Sequence, residues 1–436
     1  MKTLYPKQKE AFEFFLAKHK LGLNSLDTSH VGTGKTIVAC HLAKILKKPV
    51  AVICPKAVIP SWERELAECG MEPLFVLNYE KIRNGKTDFM SKRGKKIMKW
   101  NLPSDTLVLV DEVHKCKGPY TQNAQLLVSL VTQGYSVHAM SATAAEDPTE
   151  MRSIGFSLGL HNLNKATGGI KSWYSWMMQY GCLQNEWGAW ELRRKTKLKE
   201  LNKVMYGKNV KRLTVDDFPD SFKANRVFVE PVAFTSAAKI AKAYEKLDIT
   251  PEIITNLIEN GTVEDSDWVL VNLLRARQLA ESLKAKDMAD MALDYVDQGQ
   301  SVVLFVNFTE TAQTLQVLLK CPAIVGGQSA QERQEIIDDF QDDKEHVIVV
   351  NIAAGGTGIS LHDINGNRQR ISLISPTFNV KDHLQALGRI HRNGAKSDAI
   401  QKILVASDSI EEHVMRVVEQ KSENLNTLHQ WKQKNT

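Results

Sequence analysis

No stretch of this 436-residue chain is apolar over the roughly 20 residues that a membrane-spanning helix needs. The opening segment, Met1 to Pro6, lacks the apolar centre of a secretion leader. The six cysteines (Cys40, Cys54, Cys69, Cys116, Cys182 and Cys321) form no Cys-x-x-Cys pair and have no histidine at zinc spacing. That spacing excludes a disulfide framework and a structural zinc site, and points to reduced, mostly buried thiols in a cytosolic compartment. No internal repeat is visible. What remains is an ordinary globular composition, 43% hydrophobic and 24% charged, too long for one core and sufficient for two or three domains. The net charge of +6 says little alone. Its distribution says more. Arg83, Lys86, Lys92, Arg93, Lys95, Lys96 and Lys99 form one basic cluster, and Arg193, Arg194, Lys195, Lys197, Lys199, Lys203, Lys208, Lys211 and Arg212 form another. Either alone reads as a solvated face; two together with a phosphate-binding loop favour a phosphate backbone as partner.

From Leu4 to about Thr143, apolar runs alternate with amphipathic stretches. Val50–Cys54, Leu74–Leu77, Leu107–Val110 and Ser136–Met140 are expected as strands, with helices over Ile37–Leu46 and Trp62–Cys69. The pattern repeats after Ser301, with strands expected at Val302–Val306, His346–Val350, Ile371–Ile374 and Ile403–Val405. Apolar strands alternating with helices predict parallel sheets covered on both faces. Ser329 to Glu332 and Ser409 to Glu412 have the form of capping boxes. Between the two regions, Pro148 to Gly299 is rich in Lys, Leu, Trp and Met. It reads as helical insertions, with helices over Ser236–Leu247 and Trp268–Tyr295 and a crossover near Pro219 to Ala233. Trp173, Trp176, Trp187 and Trp190 are expected to pack that insertion rather than stack on bases.

Ser29 to Thr36 has phosphate-loop spacing, with Ser29 where glycine is usual. Gly32, Thr33 and Gly34 let backbone N–H groups curl around phosphates, Lys35 would reach the terminal phosphates, and the Thr36 hydroxyl would hold Mg2+. Asp111–Glu112 ends an apolar strand, where side chains face the ligand crevice of a parallel sheet. Asp111 would hold the metal and Glu112 would activate water. His114 and His161 have no ligand partners, so no metal beyond Mg2+ is expected, and His30 beside the loop reads as loop geometry rather than catalysis. Arg389 and Arg392 lie three apart, beside Gln385 and His391, and are expected to share a helix face. A guanidinium at the γ-phosphate raises phosphoryl transfer roughly 10³–10⁵-fold.

The order of these segments resembles the superfamily-two helicases, and within them the Swi/Snf-like DNA translocases. Tyr5 to Gln8 resembles their adenine-reading motif, Gly32 to Thr36 motif I, Cys54–Pro55 with Ser61–Glu65 motif Ia, and Asn78 to Glu80 motif Ib. Asp111 to Lys115 is similar to the Asp-Glu-Ala-His box, with Val113 for Ala, and Ser141–Ala142–Thr143 to motif III. In the second half, Val303 to Phe308 resembles motif IV, Gly326 to Ser329 the Gly-Ser/Thr segment, Ala354 to Leu361 motif V and Gln385 to Gly394 motif VI. Leu274 to Gln278 falls where that family has a Leu-Arg-Gln signature.

The resemblance implies an α/β fold of two tandem RecA-like parallel-sheet domains with helical insertions: residues 1–226, protruding over about 148–226, and 227–436, protruding over about 234–285. ATP and Mg2+ would be held by Gln8, Gly32 to Thr36, Asp111 and Glu112 of the first domain with Gly358, Arg389 and Arg392 of the second. Ser141, Thr143 and Gln385 would couple that site to a nucleic-acid surface including Lys56, Tyr79, Asn307, Gly327 and Thr357. The expected partner is duplex DNA, bound without sequence preference. The expected activity is DNA-stimulated ATP hydrolysis driving translocation. The alternatives are strand separation or branch migration, and an ATP-switched binding subunit of a larger complex. A bare motor of this kind suits a prokaryotic or virus-infected host cytoplasm, with the nucleus as the alternative setting.

Overall fold

The computed structural model describes residues 2–430 apart from 94–96, 187, 220, 261–265 and 356–358. The chain divides into two compact units, one running to Phe218 and joined by residues from Glu423 on, the other Pro219–Ser422. The division falls ahead of the expected 226/227 boundary for a concrete reason. Asn225–Val232 is a strand paired in parallel along its whole length with Ala399–Ala406, so it belongs to the second sheet.

In the first unit the strands are β1 (Ser25–Asp27), β2 (Val50–Cys54), β3 (Phe75–Asn78), the hairpin β4 (Met90–Arg93) and β5 (Ile97–Trp100), β6 (Leu107–Asp111), β7 (Ser136–Met140), a second hairpin β8 (Cys182–Gln184) and β9 (Trp190–Leu192), and β10 (Val210–Lys211). Six of them make a sheet of order β10-β1-β7-β6-β2-β3, all parallel. Side chains alternate between the two faces of a strand. Accordingly, Ala51 and Ile53 of β2 join a core with Val108, Val110 and Leu127, while Val50, Val52 and Cys54 join another with Ala39, Trp62 and Leu66. The first core lies under the helix Gln122–Thr132; the second lies under the helices Lys35–Leu46 and Ile59–Glu68. Burial on both faces is why these strands read as continuous apolar runs.

The second unit contains β11 (Asn225–Val232), β12 (Ser301–Val306), β13 (Ala323–Ile324), β14 (Val347–Asn351), β15 (Arg370–Ile374) and β16 (Ala399–Ala406). They form a parallel sheet of order β11-β16-β15-β12-β14-β13. Its core runs from Val302 through Ile348 and Leu373 to Val418. The reciprocal capping box at Ser329 and Glu332 forms as expected. At the last helix the geometry slips by one residue: Ser409 Oγ accepts from Glu411 N, while Glu412 accepts from Asp408 N. The insertion helices are Arg152–Ser157, Trp173–Gln179 and Lys197–Lys208 in the first unit, and Ala237–Glu245, Pro251–Asn260 and Ser266–Asp297 in the second. All six cysteines are free and buried. Among the described residues no helix is long and apolar enough to cross a membrane.

Candidate active site

The first unit gathers its chemistry at the carboxyl ends of β1, β6 and β7, the edge where parallel sheets hold ligands. After β1 the chain turns through Gly32 (φ +81°) and Gly34 (φ +91°) into the helix beginning at Lys35. Position 34 admits glycine alone: a Cβ there would sit 2.3 Å from Gln8 Nε2. Gln8 is buried and braces the loop. Its Nε2 donates to the Thr33 carbonyl at 2.8 Å and its Oε1 accepts from Tyr5 N at 3.0 Å. Thr33 is buried too, its hydroxyl donating to the His30 carbonyl at 2.8 Å. Lys35 folds back over the loop and donates to the carbonyls of Ser29 (2.8 Å) and His30 (3.0 Å). Desolvation lowers its pKa, and the carboxylates of Asp27, Glu112 and Asp111 oppose that shift. Thr36, half-buried, follows in the helix's first turn.

Asp111 closes β6 and is held from three directions. Trp62 Nε1 donates to Oδ2 at 2.9 Å, Glu112 N donates to Oδ1 at 2.9 Å, and the Tyr79 hydroxyl donates to the main-chain carbonyl at 2.7 Å. Burial, then repulsion from Glu112, raises the Asp111 pKa to about 6; Trp62 and Lys35 pull the other way. Glu112 adopts φ +52°, uncommon outside glycine and typical of functional positions. Its Oε2 lies 3.1 Å from His114 Nδ1 and accepts from Ser141 Oγ at 3.3 Å. Ser141 Oγ also lies 3.0 Å from His114 Nδ1 and accepts from Thr143 N at 3.3 Å. Ser141 and Thr143 are thus wired to the water-activating candidate through one hydroxyl. The donor set of Thr36 and Asp111 is all hard oxygen. It suits Mg2+, which keeps several waters and takes few protein ligands alongside phosphate oxygens.

Three residues outside the expected set shape this site. Trp62 positions Asp111 as described. Asp27, buried, accepts from Ser29 N at 2.9 Å; burial raises its pKa, against the pull of Lys35. Arg212 donates to the carbonyls of Thr28 (2.8 Å) and Ala142 (3.3 Å), joining the phosphate loop to the Ser141–Thr143 segment. Arg212 therefore leaves the basic surface cluster to which its sequence neighbours belong.

In the second unit the arginine pair is not helical. The helix Val380–Leu387 stops at Gly388; Arg389 follows in a turn and Arg392 in irregular backbone. The two nevertheless converge: Arg389 Nη1 (3.3 Å) and Arg392 Nη2 (2.9 Å) both donate to the Ile359 carbonyl. Burial and the neighbouring Arg389 press the Arg392 pKa down to about 9. His391 turns elsewhere, to the Lys223 carbonyl at 3.0 Å, and Gln385 is buried in its helix. Gly358, expected at the nucleotide, lies outside the described residues, as does Thr357.

The remaining nucleic-acid candidates divide. Lys56, opening the short turn after β2, and Gly327, at φ +90°, are exposed. Tyr79 is not: its ring is fully buried and its hydroxyl is spent on Asp111, which removes it as a polymer contact in this conformation. Asn307 is half-buried, its amide donating to Glu281 Oε2 at 2.6 Å and the Pro376 carbonyl at 3.0 Å. Trp173 and Trp176 pack the insertion as expected, while Trp190 is half-buried at a cavity wall; Trp187 lies outside the described residues.

Residues 284–394 match the family model described as Helicase conserved C-terminal domain. A protein of Acanthamoeba polyphaga mimivirus named "Putative ATP-dependent RNA helicase" is 31% identical over 435 residues, spanning 92% of this chain and 79% of that one. An SNF2 domain-containing protein of Oryza sativa subsp. japonica is 21% identical, aligned over 95% of this chain and 50% of its own length. A DNA repair and recombination protein RAD54-like of Drosophila erecta is 28% identical over 43% of this chain and 25% of its own.

Proposed function

We propose that this chain, which belongs to the Snf2-like superfamily-two helicases and is an ATP hydrolase of that helicase type, moves along duplex DNA without separating its strands. The observation that carries the reading is the hydrogen-bonded chain from Glu112 through Ser141 to Thr143 at one sheet edge, beside the Lys35 loop. It joins a hydrolytic carboxylate to a segment that would feel a polymer. Lys35 exchanges the Ser29 and His30 carbonyls for the terminal phosphates of ATP. Gln8 and Gly32 to Gly34 cradle the remainder of the nucleotide. Mg2+, held by Thr36 and Asp111, would neutralise charge on the phosphate oxygens. Glu112 orients the attacking water and takes its proton. Arg389 and Arg392, leaving the Ile359 carbonyl, stabilise charge on the transferred phosphoryl group. Lys56, Gly327 and the exposed lysines of the two basic clusters grip the backbone, so binding weakens steeply with salt.

Duplex DNA is favoured by the Swi/Snf-like order of motifs and by relatives named for an SNF2 domain and for DNA repair and recombination. RNA is the second reading, favoured by the name of the mimivirus relative, which also fits a viral setting in host cytoplasm. A triplex-displacement assay run beside forked-duplex unwinding tests the proposal. ATP-dependent release of the third strand without fork opening is expected; fork opening without third-strand release would reassign the chain as a strand-separating helicase.

A further inference from the structure

The strand β11 lies at the edge of the second sheet, and its outer side is bare. Ala399 N donates to the Ala224 carbonyl at 2.9 Å, and Ser407 N donates to the Val232 carbonyl at 3.0 Å. Between those points the register is unbroken, from Asn225 opposite Ala399 to Val232 opposite Ala406. The even-numbered residues of β11 therefore turn their N–H and C=O groups toward β16, and the odd-numbered residues turn theirs outward. Among the described residues nothing bonds to the outer groups of Val227 and Val229. Neither face of the strand is covered there. Val227 and Val229 stand on one face and Phe228 on the other. Yet Val227 is 41%, Phe228 49% and Val229 36% exposed.

A long, regular, apolar edge is a template for another strand. Pro231 sets its limit: the missing N–H falls at an outward position and costs the β16 pairing nothing. The run Arg226-Val227-Phe228-Val229-Glu230 is complementary to its own reverse. Set antiparallel across a two-fold axis at Phe228, Val227 exchanges both backbone bonds with Val229 of the partner subunit. Asn225 N reaches the carbonyl of the partner's Pro231, which needs no donor. Arg226 then faces Glu230 of the partner subunit, and Phe228 faces the partner's Phe228. Both are non-hydrogen-bonded pairs, where side chains lie closest. The charge pattern continues inward, because Arg226 lies 3.8 Å from Asp398 and Glu230 lies 2.8 Å from Lys402. Across the joint the signs alternate negative, positive, negative, positive, with no like charges adjacent. A strand of unrelated sequence could match the backbone groups but not that row.

We propose that β11 is a self-association edge, through which two copies of this chain join antiparallel into one continuous sheet. A single strand pair is narrow beside the roughly 1,200–2,000 Å² that stable interfaces bury, so the dimer is weak and concentration-dependent.

Sedimentation velocity over a concentration series tests this. The wild-type chain is expected to move with concentration from its own mass, 48.9 kDa, toward twice that. Arg226→Glu sets carboxylates opposite each other at both ends of its own dimer, and Glu230→Arg does the same with guanidinium groups. Each is expected to raise the dimer dissociation constant about tenfold or more. Mixing the two variants restores an opposite-charge pair at both ends and is expected to regain most of the wild-type affinity. Loss of packing or of fold in either variant would not produce that recovery. Val229→Pro removes an outward donor without touching the β16 ladder and is expected to be monomeric. Wild-type chain that stays monomeric at every soluble concentration overturns the proposal and leaves the edge to a strand of another protein. A dimer indifferent to both charge variants, or one that persists in a folded Val229→Pro, lies elsewhere on the molecule and overturns it too. Should Val229→Pro fail to fold, the mixing experiment decides alone: a mixture no tighter than its components overturns the proposal.

Discussion

Removing the indole N–H of Trp62 isolates the hold on Asp111 from everything else at the site. Trp62 is 1% exposed and its Nε1 donates to Oδ2 at 2.9 Å. Trp62→Phe keeps an aromatic ring there and deletes the donor. A hydrogen bond to a charged acceptor contributes roughly 1.5–3 kcal/mol. Burial already raises the Asp111 pKa, and the indole is the largest influence holding it down. Without it the carboxylate is harder to keep ionised and freer to rotate. Outer partners of metal ligands are commonly worth about 10–100-fold in metal affinity. The Mg2+ concentration giving half-maximal ATP turnover is therefore expected to rise about tenfold or more, with turnover at saturating Mg2+ far less affected. Tyr79→Phe is the control. Its hydroxyl serves the Asp111 carbonyl rather than the carboxylate, so it should lower the melting temperature, for a loss of about 1 kcal/mol, and leave Mg2+ dependence alone. If Trp62→Phe shows the wild-type Mg2+ dependence, Asp111 is not the metal-holding residue argued for here.

Glu112→Gln should cut nucleic-acid-stimulated ATP hydrolysis at least about 100-fold while ATP still binds, and Lys35→Ala should weaken both; colorimetric phosphate release with nucleotide titration distinguishes them. The buried pair Lys284–Glu411, at 2.9 Å, should resist single substitution: Lys284→Met costs about 3–5 kcal/mol in urea unfolding, and adding Glu411→Leu recovers part of it. Acid should loosen the first unit through His19, which is bonded to Ser25 and Ser136. Burial lowers its folded pKa to about 4 from 6.5, so the unfolded chain binds the proton first and stability falls as pH drops from 6.5 toward 4. Moving from pH 7 to pH 5 should remove about 2 kcal/mol through this residue, and His19→Gln should flatten that dependence.

The strands read from apolar runs, such as β2, β6, β12 and β14, were legible because they are buried on both faces. β1 and β10 were not, since three and two residues carry no period to read. β11 hid in the insertion because it is largely exposed, with Asn225, Arg226 and Glu230 interrupting its apolar residues. The phosphate loop and Asp111–Glu112 stood out because phosphate and metal chemistry constrain residue type at fixed spacing. The supports did not: Trp62 reaches Asp111 across 49 residues and Arg212 reaches Thr28 across 184, and no local pattern encodes such contacts. The helical arrangement expected for Arg389 and Arg392 failed at Gly388, where the helix ends. Tyr79 was misjudged because an aromatic beside a motif looks the same in sequence whether it faces solvent or the core.

ATP turnover by the whole chain, measured side by side with duplex DNA, single-stranded DNA and RNA, bears most directly on the account. The largest stimulation is expected from duplex DNA, and Arg389→Ala with Arg392→Ala should remove it without abolishing ATP binding. Turnover indifferent to every polymer, or unaltered by loss of both guanidinium groups, would contradict it.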